Sequence, residues 1–123
     1  MLGLLCACDP LARVDIIDPN LPEPVFCVSA RSRCALDGPN YHGNTLQVTA
    51  RPADEPDATP TVVWSISSFS APNPQKNRHL HYGELPMGWT EEVECQPLQP
   101  EFVYRFQNIS FVVEGGQIVE IRE

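Results

Sequence analysis

Thirteen prolines lie scattered from Pro10 to Pro100 in a chain of 123 residues. Each removes a backbone donor and fixes φ, so long helices have almost no room and short strands joined by loops are the natural alternative. The apolar residues between the prolines repeat with a period of two. In Thr45–Arg51, Leu46, Val48 and Ala50 alternate with Gln47, Thr49 and Arg51, as in a half-buried strand. Thr61–Ser67 places Val62, Trp64 and Ile66 on one face. Arg13–Ile17, Glu23–Ser29, Phe102–Phe106, Ile109–Val113 and Ile118–Ile121 read the same way, and Gly115-Gly116 between the last two is a hairpin signal. His79–Tyr82 and Thr90–Glu94 are weaker signals, both short and the second rich in charge. The expected fold is all-β, an antiparallel sandwich of about seven short strands.

The length suits one domain of about 100–110 residues with a single core. Residues 1–7 read as the remnant of a leader, 8–22 as a tether that could contribute a first strand, and 23–123 as the sandwich. Arg51–Pro60 and Ser70–Asn77 read as exposed connections. Sixteen acidic against eight basic side chains give a net charge of −8. That balance opposes nucleic acid and anionic headgroups and leaves basic proteins or cations as favoured partners. Plain solubility is the simpler account of the same acidity.

At the start of the chain, Leu5-Cys6-Ala7-Cys8 resembles the end of a bacterial lipoprotein signal, with Cys8 as the lipid acceptor. The chemistry asks for small or apolar residues just before the thiol, and Leu5 and Ala7 fit while Cys6 departs from the usual Ala, Ser or Thr. Met1–Leu5 is shorter than the roughly 7–15 apolar residues of a signal core and lacks a basic flank, so the genuine start is expected upstream. The competing reading is a short apolar tail on a soluble domain. The resemblance implies a lipid-anchored, periplasm-facing envelope protein, with Asp9 in the position that tends to hold enterobacterial lipoproteins at the inner membrane.

With Cys6 removed and Cys8 acylated, Cys27, Cys34 and Cys95 remain. Cys27–Cys34 is the preferred disulfide, pinning a loop of little apolar material and contributing about 2–3 kcal/mol; Cys27–Cys95 across two sheets is its competitor. No Cys-x-x-Cys spacing suggests zinc.

Leu98-Gln-Pro100-Glu-Phe-Val-Tyr104, entering the strand Tyr104-Arg-Phe106, resembles the tyrosine corner of fibronectin type III and immunoglobulin-like sandwiches. The resemblance implies that the Tyr104 hydroxyl bonds to backbone near the turn, and that Trp64 is the core tryptophan. The segment Tyr82-Gly-Glu-Leu-Pro-Met-Gly-Trp89 departs from those domains by putting a punctuated loop where a plain strand belongs. With Pro97-Leu98 and the Tyr104 strand, that loop also resembles small Gram-negative lipoproteins, which implies an address and no activity.

No nucleophile elbow or phosphate loop occurs, so no residue is assigned a catalytic role and no cofactor is expected. His79 and His81 share one side of a strand and, with Glu84, could bind zinc or copper; two ordinary surface histidines on an edge strand are the simpler reading, and no metal site is assigned. Asn108-Ile-Ser110 matches a glycosylation sequon, accidental in a bacterial lipoprotein. The binding candidates are Tyr82, Met87 and Trp89, set in a Gly/Pro-punctuated loop on a rigid scaffold, against the alternative that Trp89 folds back onto the core. The expectation is a monomeric, non-enzymatic interaction or structural module that meets a protein partner, basic by charge, in the cell envelope. A periplasmic immunity or inhibitor protein against a basic toxin or hydrolase is the alternative, and a histidine-based metal domain a more remote one.

Overall fold

The computed structural model describes residues 12–30, 44–68 and 78–122. It is all-β there: β1 (Ala12–Asp18), β2 (Val25–Ala30), β3 (Asn44–Pro52), β4 (Thr61–Ser68), β5 (Arg78–His81), β6 (Thr90–Val93), β7 (Phe102–Phe106), β8 (Ile109–Glu114) and β9 (Gln117–Ile121). They form two antiparallel sheets, one ordered β1-β2-β5 and the other β6-β4-β3-β7-β8-β9. Setting β1, β2 and β5 against β8, β7, β3 and β4 gives an immunoglobulin-like strand order, extended by β6 and β9. Among the described residues nine strands form rather than about seven, because the two short segments around the Tyr82–Trp89 loop both pair, β5 with β2 and β6 with β4. β1 pairs with β2 over its length, so residues 12–18 belong to the sandwich rather than to a free tether.

Alternation along β1, β2, β3 and β7 builds much of the core. Val14, Phe26, Leu46, Val48, Trp64, Ile66, Tyr104, Phe106, Phe111 and Ile118 all point between the sheets and are buried. Phe26 meets Phe106 edge-on at 4.9 Å, and Tyr104 stacks on Phe111 at 5.4 Å. Each such side chain contributes about 1.5–3 kcal/mol through burial. The corner forms as well. The Tyr104 hydroxyl accepts the Gln99 N–H at 2.7 Å, and Leu98 packs against the core. Burial pushes the Tyr104 phenol above its ordinary pKa, while the Gln99 bond pulls the other way.

Two strand edges are closed by other parts of the chain. After β1 the chain crosses to the larger sheet, where Ile118 N–H donates to Pro19 O at 2.9 Å and Leu21 N–H to Gly116 O at 3.0 Å. Asn20 pairs with Gln117 between them, and this strap covers the start of β9. At the other end of β1, Asn108 bonds both backbone groups of Val14: its Oδ1 accepts the Val14 N–H at 2.6 Å and its Nδ2 donates to Val14 O at 3.2 Å. Asn108 is aimed there by the tight β7–β8 turn, in which Gln107 takes a φ of 54°, a left-handed conformation a side chain enters only at a cost. Uncapped edges invite pairing with other chains, so both devices keep the sandwich discrete.

Candidate functional site

The segment from Tyr82 to Trp89 joins the edge strands of the two sheets, β5 and β6. Its path is fixed by two tight turns, with Glu84 N–H donating to His81 O at 2.9 Å and Trp89 N–H to Pro86 O at 3.1 Å. Gly83 and Gly88 sit at φ of 88° and 87°, where a side chain would be strained. Gly83 also lies under Cys95, and a Cβ there would come within 3.2 Å of the Cys95 Sγ.

The three binding candidates separate. Tyr82 belongs to the core: it is buried, its ring meets Trp64 edge-on at 5.1 Å, and its hydroxyl donates to Gln96 O at 2.6 Å. The Gly/Pro-punctuated loop suggests an exposed cluster; what places Tyr82 inside is that it shares the inward face of Leu80 while His81 between them turns out. Burial first, and then the Cys95 thiol beside it, push its phenol far above the ordinary tyrosine value. Trp89 is half-buried and packs against the core, so the fold-back alternative describes it better than a free anchor does. Met87 alone of the three stands out in solvent, 96% exposed, with Leu85 at 42% beside it. Leu85, Pro86 and Met87 line a shallow depression of about 370 Å³ together with His79, Leu80, His81 and Glu84.

Carboxylates surround the base of this loop. Glu91 Oε2 accepts the Trp64 indole N–H at 2.9 Å, and Glu92 accepts the Ser67 hydroxyl at 2.9 Å. Cys95 senses the cluster: burial raises its thiol pKa, the Tyr82 hydroxyl opposes this, and Glu91, Glu23 and Glu94 push it further up. The thiol is thus held protonated, pointing at Gln96 O at 3.7 Å, in surroundings unsuited to a nucleophile.

His79 and His81 are both exposed on the outer side of β5, and His81 Nδ1 lies 3.9 Å from Glu84 Oε1. The strand register also lines up Asp15, Cys27 and His79 across the outer face of the smaller sheet. Among the described residues no three His, Cys, Asp or Glu side chains converge on a metal position. Cys34 lies outside the described residues, and so do Cys6 and Cys8; the Cys27–Cys95 bridge does not form. Among the described residues no helix is long and apolar enough to cross a membrane. The sequon at Asn108 is structural in use, since its amide is committed to Val14. No sequence signal could have revealed that role, because the partners stand 94 residues apart. No protein-family model matches the chain, and no curated protein or solved structure matches it either.

Proposed function

We propose that this protein is a non-catalytic interaction module, held at a bacterial envelope membrane by a lipid on Cys8, that engages a protein partner through the loop between β5 and β6. The observation that carries this reading is Met87, 96% exposed beside Leu85 on a loop whose ends are fixed by Tyr82 and Trp89 in the core. A flexible, polarisable apolar side chain standing free on a rigid base suits a contact residue, and leaving it in water costs the free fold nothing that packing could recover. The lipid anchor rests on Leu5-Cys6-Ala7-Cys8. The acidic base of the loop, with Glu23, Glu91 and Glu94 around Cys95, favours a basic partner and so also supports the immunity or inhibitor reading.

The test is a photo-crosslinking amino acid placed at position 87 and, as a control on another exposed site, at Val119, each expressed in the producing cell. The expected result is a discrete adduct from position 87, absent from 119. Equal, diffuse labelling at both positions removes the interaction reading.

A further inference from the structure

The four strands at the sheet edges are treated unequally. β1 is capped at Val14 by Asn108, β9 is covered at its start by Pro19–Leu21, and β6 carries Glu91 and Glu92, a charged run that blunts pairing. β5 has none of these devices among the described residues: it pairs with β2 on one side and nothing described pairs with it on the other.

The register says which groups face the open side. Tyr82 N–H donates to Pro24 O at 2.9 Å, and Phe26 stands opposite Leu80 and Val28 opposite Arg78. In an antiparallel pair the bonding direction alternates, so the backbones of Leu80 and Arg78 turn to β2 and those of His79 and His81 turn outward. His81 O is taken by Glu84 N–H; among the described residues nothing bonds the His79 N–H, the His79 C=O or the His81 N–H, the groups an added strand would use. The depression lined by Leu85, Pro86 and Met87 adjoins this edge and has the Glu84 carboxylate at its rim. Carboxylates Glu23, Glu91 and Glu94 lie near Cys95, which packs against Gly83 just past the end of β5, in a chain of net charge −8.

From this we infer that β5 accepts an extended basic segment of a partner protein as a fourth strand of the smaller sheet, with one apolar side chain against Leu85, Pro86 and Met87 and a lysine or arginine facing Glu84. The inference rests on the interaction reading above and specifies how that partner is held. Backbone bonds to His79 and His81 set the register, the depression selects an apolar residue, and the acidic flank selects the charge. A short edge supplies few bonds, so the apolar contact and the charge carry much of the affinity.

The probe is an acetylated and amidated Lys-Val-Lys-Val-Lys-Val peptide, compared with its Glu-Val counterpart and with a copy N-methylated on alternate residues. N-methylation leaves charge and side chains in place and removes strand-pairing donors, which separates strand addition from simple attraction to an acidic protein. The expected result is amide NMR shifts centred on His79 and His81 with the lysine peptide, about tenfold weaker binding of the methylated copy, and none of the glutamate peptide. His79→Pro, which an edge strand tolerates on its open side, should weaken binding similarly with little change in melting temperature. Equal binding of the methylated copy, equal binding of the glutamate peptide, or self-association through β5 without peptide would each overturn the inference. A Met87 adduct without any response at β5 sinks the strand addition alone; loss of the Met87 adduct removes the interaction reading beneath it.

Discussion

Asn108 stands in for a missing strand beside Val14. Its amide gives and takes the two hydrogen bonds that a neighbouring backbone would, at 3.2 and 2.6 Å, from a turn in the opposite sheet. Asn108→Ala leaves both backbone groups of Val14 without these partners and should cost about 1–3 kcal/mol in urea unfolding. It should also raise the tendency of the protein to self-associate in size-exclusion chromatography, because an edge is uncovered. Asn108→Asp keeps the acceptor and loses the donor, so its loss should be smaller than that of alanine. An unchanged urea midpoint in Asn108→Ala would mean that water replaces the amide without penalty.

Tyr104→Phe should cost about 1–2 kcal/mol, since the ring still stacks on Phe111 while the Gln99 N–H loses its acceptor. Trp64→Ala opens a cavity at the centre of the sandwich and should cost about 3–5 kcal/mol. Both are read from denaturant midpoints. In the intact protein acrylamide should quench Trp64 poorly, because its side chain is fully buried.

Met87 and Trp89 should part company on substitution. Met87→Glu replaces a side chain standing in water and should shift stability by no more than about 0.5 kcal/mol. Trp89→Ala strips a half-buried ring off the core and should cost about 1–3 kcal/mol before any partner is considered. Thermal melts of the two variants give the comparison, and equal losses would place Met87 in the core too.

Alkaline conditions should destabilise the fold. Cys95, Tyr82 and Tyr104 all have pKa values raised above their ordinary 9.0, 10.0 and 10.0. Above pH 9 the unfolded chain therefore binds fewer protons than the folded one, and stability falls with rising pH. The stabilisation is whole below the unfolded values and is lost progressively as pH climbs from them toward the folded values. Urea midpoints measured from pH 8 to 11 should decline, and Tyr82→Phe should flatten the upper part of that decline. A flat profile in the wild type would show that these groups titrate alike in both states.

Cys8 should carry the lipid. Expressed from its natural locus and fed a fatty-acid analogue, the wild type should be labelled, Cys8→Ser should not, and Cys6→Ser should be. The reverse pattern moves the acceptor to Cys6, and an unlabelled wild type ends the lipoprotein proposal.

Most strands were legible because they turn one residue in two toward the core, a pattern local to the chain in Leu46-Gln-Val48; in β4 a bulge between Val62 and Trp64 breaks the expected alternation and puts Val63 rather than Val62 against the core. Tyr104 was legible through its spacing from Leu98 and Pro100, since the corner closes within five residues of Gln99. What escaped were relationships set by topology. Tyr82 sits beside a glycine in a segment that looks like surface, yet Trp64 waits on a different sheet to receive it. The Glu91 partner of Trp64 lies 27 residues away, and Asn108 read as an empty sequon because Val14 is reached only once the two sheets are stacked. The candidate site was half legible: the loop was found, but burial decides that Met87 faces out while Tyr82 and Trp89 hold the loop down.

The strap of Pro19–Leu21 along β9 sets how the domain would bear a load. In a protein tethered through its N-terminal side, a pull would run along β1; Asn108 at Val14 is the first point where that strand grips the far sheet, and the strap is the second. With Asn108 holding Val14, traction is shared between both layers of the sandwich instead of peeling β1 from β2 one bond at a time. A tether in this position anchors the whole β-sandwich mechanically, not merely its first strand.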